Sequence, residues 1–326
     1  MSHLPLPNIL FIVDPKAYFK HYNIDTTTND NDVKELISRI ISLGDWGLKL
    51  MNLSVILPEW TIPINTMIHK GKLQQLGMAL DEYEIHNGKL IVPHPDNVFS
   101  AYSSVKLSML SVVFVGQDPY PTSDKTSETL KTLNKESEET KESILGCNYK
   151  ELGIGLSENN KDKITSIPYA IGKAFAVPNY CKKLPGTLEN IREAVYKSTG
   201  KKSKASPNLD LWTSQGILLM NSSPILMKKS SKTPNMWTGF TTEMLNYIGK
   251  LNPTIVFVLL GNSAKYFKST ILNSNPNALI FEVGHPSRRN LTSSESFLNS
   301  NIFSRINEFR KEISRGSNMH LKPIEW

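Results

Sequence analysis

The chain has 326 residues, 39% of them hydrophobic, enough to bury a sizeable core in one large domain or two small ones. Lys and Arg outnumber Asp and Glu by 37 to 30, and the resulting charge of +7 suits a polyanionic partner without identifying one. The two cysteines, Cys147 and Cys181, lack metal-ligand spacing, and no apolar run reaches the roughly 18 residues of a membrane span. A soluble, reduced, intracellular protein with no cysteine-ligated metal and no membrane-spanning helix is therefore expected.

The opening run NILFIV is short and lacks a basic leader with a small-residue cleavage site, so no secretion signal is read. Residues 1–45 are expected to form an N-terminal extension: the polar TTTNDNDV is followed by VKELISRIISL, whose apolar residues repeat at helical spacing. The first clear strand is Val112 to Val115, which stops abruptly in GQDPYP. From about 122 to 165 the composition turns polar and mixed in charge (TSDKTSETLKTLNKESEETKES), as in a flexible insertion unable to offset its ordering entropy. STGKKSKASPN reads as an exposed loop.

Three more strands follow, Ile217 to Met220, Thr254 to Leu260 and Ala278 to Val283. All four are nearly continuously apolar rather than alternating, as strands buried on both faces of a parallel sheet are. EMLNYIGKL and SAKYFKSTIL flank the third as helices, and IFSRINEFRKEI closes the chain with Ile302, Phe303, Ile306, Phe309 and Ile313 on one stripe. The expected fold is α/β, a three-layer α/β/α sandwich around a central four-stranded parallel sheet. The domain carrying it is expected to span 46–326.

Each strand is followed by a polar group: Asp118 and Tyr120, then Asn221, then Gly261-Asn262-Ser263, then His285-Pro286-Ser287. Taken singly these have bland readings, since Asp-Pro starts turns, Asn precedes turns and a lone His is usually structural. In an open parallel sheet, however, ligands bind beyond the carboxyl ends of the strands, so the four groups converge on one rim. Acid, amide, hydroxyl and imidazole there suit recognition of a polar planar group together with hydrolysis.

In this order, GQDPYP, GKAFAVP, LLMNSSP, LLGNSA and GHPS resemble the motifs of the uracil-DNA glycosylase family. IVPHPDNVFSAY and LPGTLENI look like family segments too, so the resemblance runs from about residue 44 to the C-terminus without the insertion. It implies a base-excision repair enzyme that flips deoxyuridine out of DNA and hydrolyses its N-glycosidic bond. By resemblance Asp118 directs the water and His285 stabilises the uracil anion. Gln117, Tyr120, Phe175 and Asn221 hold the base, with Tyr120 excluding thymine's methyl, Phe175 stacking and Asn221 reading the Watson–Crick edge. Thr187, Gly261, Asn262, Ser263, Ser287, Arg288 and Arg289 hold DNA, with Lys228, Lys229 and Lys232 adding charge.

The resemblance implies neither cofactor nor metal, a monomer, uracil-containing DNA as partner and a nuclear or viral cytoplasmic replication site. Replication proteins are a further class of partner. Two departures stand out. Arg288 and Arg289 occupy the place of the family's apolar wedge, and Pro121 that of a histidine, features similar to those of some viral members. The competing expectations are a non-catalytic DNA-binding or replication-accessory protein that keeps the fold, and a glycosylase for another damaged base.

Overall fold

In the computed structural model, the described residues are 45–87, 91–126, 166–227, 233–287, 296–316 and 321–326, with short pieces between 130 and 164. The chain divides into two compact units, residues 1–90 and 91–326. The helix expected at VKELISRIISL lies outside the described residues.

The described part of the first unit is helical: α1 (Asp45–Met51), α2 (Leu53–Ile56), α3 (Thr61–His69) and α4 (Lys72–Asn87). The first amides of α1 have no partner within their own helix, and the Asp81 carboxylate of α4 takes them, accepting from Trp46 N at 2.8 Å and Gly47 N at 3.0 Å. Two glycines permit this closeness. A Cβ on Gly77 would stand 2.5 Å from the Gly47 Cα.

In the second unit the four apolar runs become the strands β1 (Val112–Gly116), β2 (Ile217–Asn221), β3 (Val256–Leu260) and β4 (Leu279–Val283). All neighbours are parallel, in the order β4-β3-β1-β2. The helices are α5 (Ser100–Ser103), α6 (Gly186–Thr199), α7 (Asp210–Thr213), α8 (Thr233–Leu251), α9 (Asn262–Lys265), α10 (Lys268–Ser274) and α11 (Ile302–Gly316). The helix expected after β3 is thus split into two short ones.

Side chains alternate across a sheet, so each strand feeds two cores. One holds Val112, Phe114, Ile217, Leu219, Val256 and Val258 with Leu188 and Ile191 of α6 and Ile302, Phe303 and Ile306 of α11. The other face carries Val113, Val115, Leu218, Met220, Phe257 and Leu259, all buried. The aromatic edges of Phe99, Trp237 and Phe240 pack together on α8, whose Thr241 hydroxyl donates to Ser222 O just past β2. β4 departs from the continuous-burial pattern: as a sheet edge it exposes Glu282, which pairs with Lys268.

Register then decides where the polar ends go. Gly116 lies opposite Asn221, Val115 opposite Leu259 and Leu260 opposite Val283, so all four strands finish in one row. β1 leads to β2 on one side and β3 to β4 on the other, so their loops diverge and open a crevice between them.

Most of the polar segment from 122 to 165 lies outside the described residues, but its two ends do not. Ser123 and Asp124 pair antiparallel with Pro168 and Ile167, and Tyr169 N donates to Thr122 O at 3.1 Å. Asp124 locks the junction, accepting from Thr126 N, the Thr126 hydroxyl and Lys182 N. Within the segment, Leu133 is fully buried in the core and Leu130 packs against it. Two leucines three residues apart share a helical face, a signal diluted by the polar composition around them.

Candidate active site

Gly116, the last residue of β1, lies directly against two side chains of the site. A Cβ there would lie 2.6 Å from Asn221 Oδ1 and 3.0 Å from Phe175 Cζ, so amide and ring approach the backbone only because the side chain is missing. The ladder between β1 and β2 then continues into the loops. Ser222 N donates to Gly116 O, and the Ser223 amide and Ser222 hydroxyl both donate to Gln117 O, each at 2.9 Å. These bonds fix the loop carrying Asp118 against the one carrying Asn221.

Phe175 comes from a turn between the insertion and α6. Its φ is +67°, a left-handed conformation unusual for a bulky residue and costing on the order of 1–3 kcal/mol. The residue is 7% exposed, and its ring centroid stands 6.4 Å from that of His285. Tyr120 reaches the same turn, its hydroxyl donating to Phe175 O at 3.2 Å. Enclosure of that hydroxyl pushes its pKa well above the usual phenol value.

His285 follows β4 and is held from two sides. Asn190 of α6 donates its Nδ2 to Pro286 O at 2.8 Å, and a Cβ on Gly261 (φ +81°) would meet the His285 Cβ at 3.1 Å. The Ser287 amide donates to His285 Nδ1 at 3.2 Å, which leaves the proton of the neutral ring on Nε2. Burial lowers the imidazole pKa, so the neutral form is favoured. Asp118 shifts the other way: burial raises its pKa, opposed by a backbone hydrogen bond and one from Gln117. The rim therefore carries a carboxylate and a neutral imidazole donor held in different environments.

Together these groups enclose a cavity of about 190 Å³, lined by Gln117, Asp118, Tyr120, Phe175, Asn221 and His285, and also by Pro119, Pro121, Ala170, Gly172, Lys173 and Thr187. Drug-sized sites run to roughly 300–1,000 Å³, so this one suits a single planar ring. No protein-family model matches the chain. It is 30% identical over 259 residues to the uracil-DNA glycosylase of Borreliella burgdorferi, spanning 78% of this chain and 93% of that protein. The Streptococcus sanguinis uracil-DNA glycosylase is 26% identical over 269 residues, spanning 82% and 97% of the two chains. The crystal structure of mimivirus uracil-DNA glycosylase superposes with a TM-score of 0.62 at 25% identity, covering 84% of this chain and 89% of that one. The chain belongs to the uracil-DNA glycosylase family.

The residues that the family resemblance assigns to the base, Gln117, Tyr120, Phe175 and Asn221, share the cavity wall with Asp118 and His285. Thr187, expected among the DNA-holding residues, lines the cavity as well. Gly261 packs its bare Cα against His285, Asn262 and Ser263 open α9, and Ser287 donates to the histidine ring. Arg288 and Arg289 lie outside the described residues, as do Lys228, Lys229 and Lys232. Sequence reading passed over Gly116, Asn190 and Lys173. Asn190 falls within the recognised LPGTLENI, and Lys173 was legible as a charge inside the apolar GKAFAV. Cys181 is buried, its thiol pushed up to about 12 by burial and by Asp124, as suits a structural thiol; Cys147 lies outside the described residues.

Proposed function

We propose that this protein hydrolyses the N-glycosidic bond of deoxyuridine in DNA, releasing uracil and leaving an abasic site. The observation that carries the proposal is the single-ring cavity lined by Asp118, Asn221 and His285 together, in a chain of this family.

In the reaction, water oxygen bonds to C1′ as the C1′–N1 bond breaks and its electron pair passes to uracil. The sugar gains oxocarbenium character, which the Asp118 carboxylate stabilises while it orients the water and receives its proton. Negative charge grows on uracil O2, and the Nε2–H of neutral His285 donates to it. Losing such a donor typically costs roughly 10²- to 10³-fold in rate. The Asn221 amide donates to O4 and accepts from N3–H; cytosine presents a donor where O4 should be and leaves buried groups unpaired. Tyr120 occupies the space of thymine's methyl, and Phe175 stacks on the extruded ring. Extrusion costs a few kcal/mol of unstacking, offset by contacts to the phosphates from Gly261, Asn262, Ser263, Ser287, Arg288 and Arg289.

Uracil release from a defined oligonucleotide, with Asp118→Asn as control, tests the proposal. Release by the parent and its loss in the variant are expected. DNA binding with no release in either protein would instead support an accessory protein that keeps the fold.

A further inference from the structure

The turn that carries Phe175 is tied down at nearly every residue. Gly172 O accepts from Ala101 N at 3.2 Å, Ala174 N donates to Leu219 O at 2.9 Å and Val177 N donates to Pro207 O at 3.0 Å. Lys173 adds a tie of another kind. Its ammonium meets Asp210 Oδ1 at 2.5 Å, on a side chain only 7% exposed, while the Asp210 side chain is 61% exposed. Asp210 is itself held, because its backbone N–H donates to Asn208 Oδ1 and its second carboxylate oxygen accepts from Asn208 Nδ2.

Packing alone does not call for a charge at this position. An aliphatic side chain would fill the wall of the cavity without the cost of desolvating an ammonium, and a buried ion pair often contributes less stability than an apolar replacement. What the pair supplies is direction, since it fixes the residue between Gly172 (φ +77°) and Phe175 (φ +67°) to a separate element, α7. We propose that Lys173 is a positioning residue: its ion pair with Asp210 holds the strained turn in the conformation that lays the Phe175 ring against the extruded base. This inference rests on the functional reading above. With the tie cut, the left-handed Phe175 backbone relaxes and the ring leaves its stacking position.

Four variants test it: Lys173→Met, Lys173→Arg, Asp210→Asn, and Lys173→Met combined with Asp210→Asn. Lys173→Met and Asp210→Asn should each slow single-turnover uracil release about tenfold, the scale of a small misplacement of a reacting group. Lys173→Arg should keep most of the rate. Because the partners share one interaction, the double variant should lose no more than the worse single one. Binding to uracil-free duplex should not change, and hydrogen exchange at the Ala174 and Val177 amides should quicken in both single variants. Asp210→Asn, at an exposed position, keeps the test independent of any folding defect in Lys173→Met. Parental rates in both single variants, losses that multiply in the double variant, or unchanged exchange at the two amides would overturn the inference. A parent that releases no uracil overturns the functional reading instead, and the exchange measurement then decides the inference alone.

Discussion

At the scale of single residues, the site depends on what is absent as much as on what is present. Gly116 is the sharpest case. Gly116→Ala places a methyl against Asn221 and Phe175 together, and single-turnover excision should fall by about 10²-fold while the fold is retained; a parental rate would show that neither group needs its present position. His285→Leu should bind DNA as the parent does yet lose most turnover, read by comparing filter binding with single-turnover excision. Tyr120→Ala should release thymine from T-containing DNA, where the parent releases none. The two titrating groups set the pH dependence. The proposed chemistry needs Asp118 ionised and His285 neutral, so the rate should be present above both pKa values and fall as pH drops. Burial raises the Asp118 value and lowers that of His285, so the acid limb lies above the ordinary carboxylate range on account of Asp118, with the His285 limb brought down towards it. A pH–rate profile that rises towards acid would contradict these assignments.

At the scale of elements, the four strands, their parallel sense and the polar row at their ends were legible in the sequence. A strand buried on both faces must be apolar at every position, and such a run can admit a polar residue only where it leaves the sheet. Two things were not legible. Closure of the insertion depends on Asp124 collecting donors from Thr126 and Lys182, 58 residues apart in the latter case, and periodicity carries no trace of such a contact. Asp124→Ala removes the buried carboxylate on which those bonds converge and should cost about 1–3 kcal/mol in denaturant unfolding. The C-terminal KPIEW was likewise silent in sequence. It docks back on the unit: Ile324 N donates to Asn307 Oδ1, Glu325 N to Gln215 Oε1, and the Trp326 ring packs at 4.8 Å from Phe303, its Nε1 donating to Phe303 O. Trp326→Ala should cost about 3–5 kcal/mol by the same measurement.

At the scale of the molecule, a parallel sheet with its loops diverging at one edge gathers residues from across more than half of the sequence into a cavity for one ring. The carboxylate, amide and imidazole could be anticipated, because their motifs sit directly at strand ends. The charge of Lys173 was visible, but its pairing with Asp210 and the contacts of Asn190 and Gly116 were not, because they join groups distant in sequence. The net charge of +7 belongs to this scale too, and DNA binding should weaken steeply with added salt, because release of condensed counterions then drives association less. The reaction proposed for the cavity is hydrolysis of deoxyuridine through Asp118. Single-turnover release of uracil from a defined oligonucleotide measures it directly: rapid release by the parent and a loss of several orders of magnitude in Asp118→Asn are expected, whereas equal release by the two proteins, or none from the parent, would contradict it.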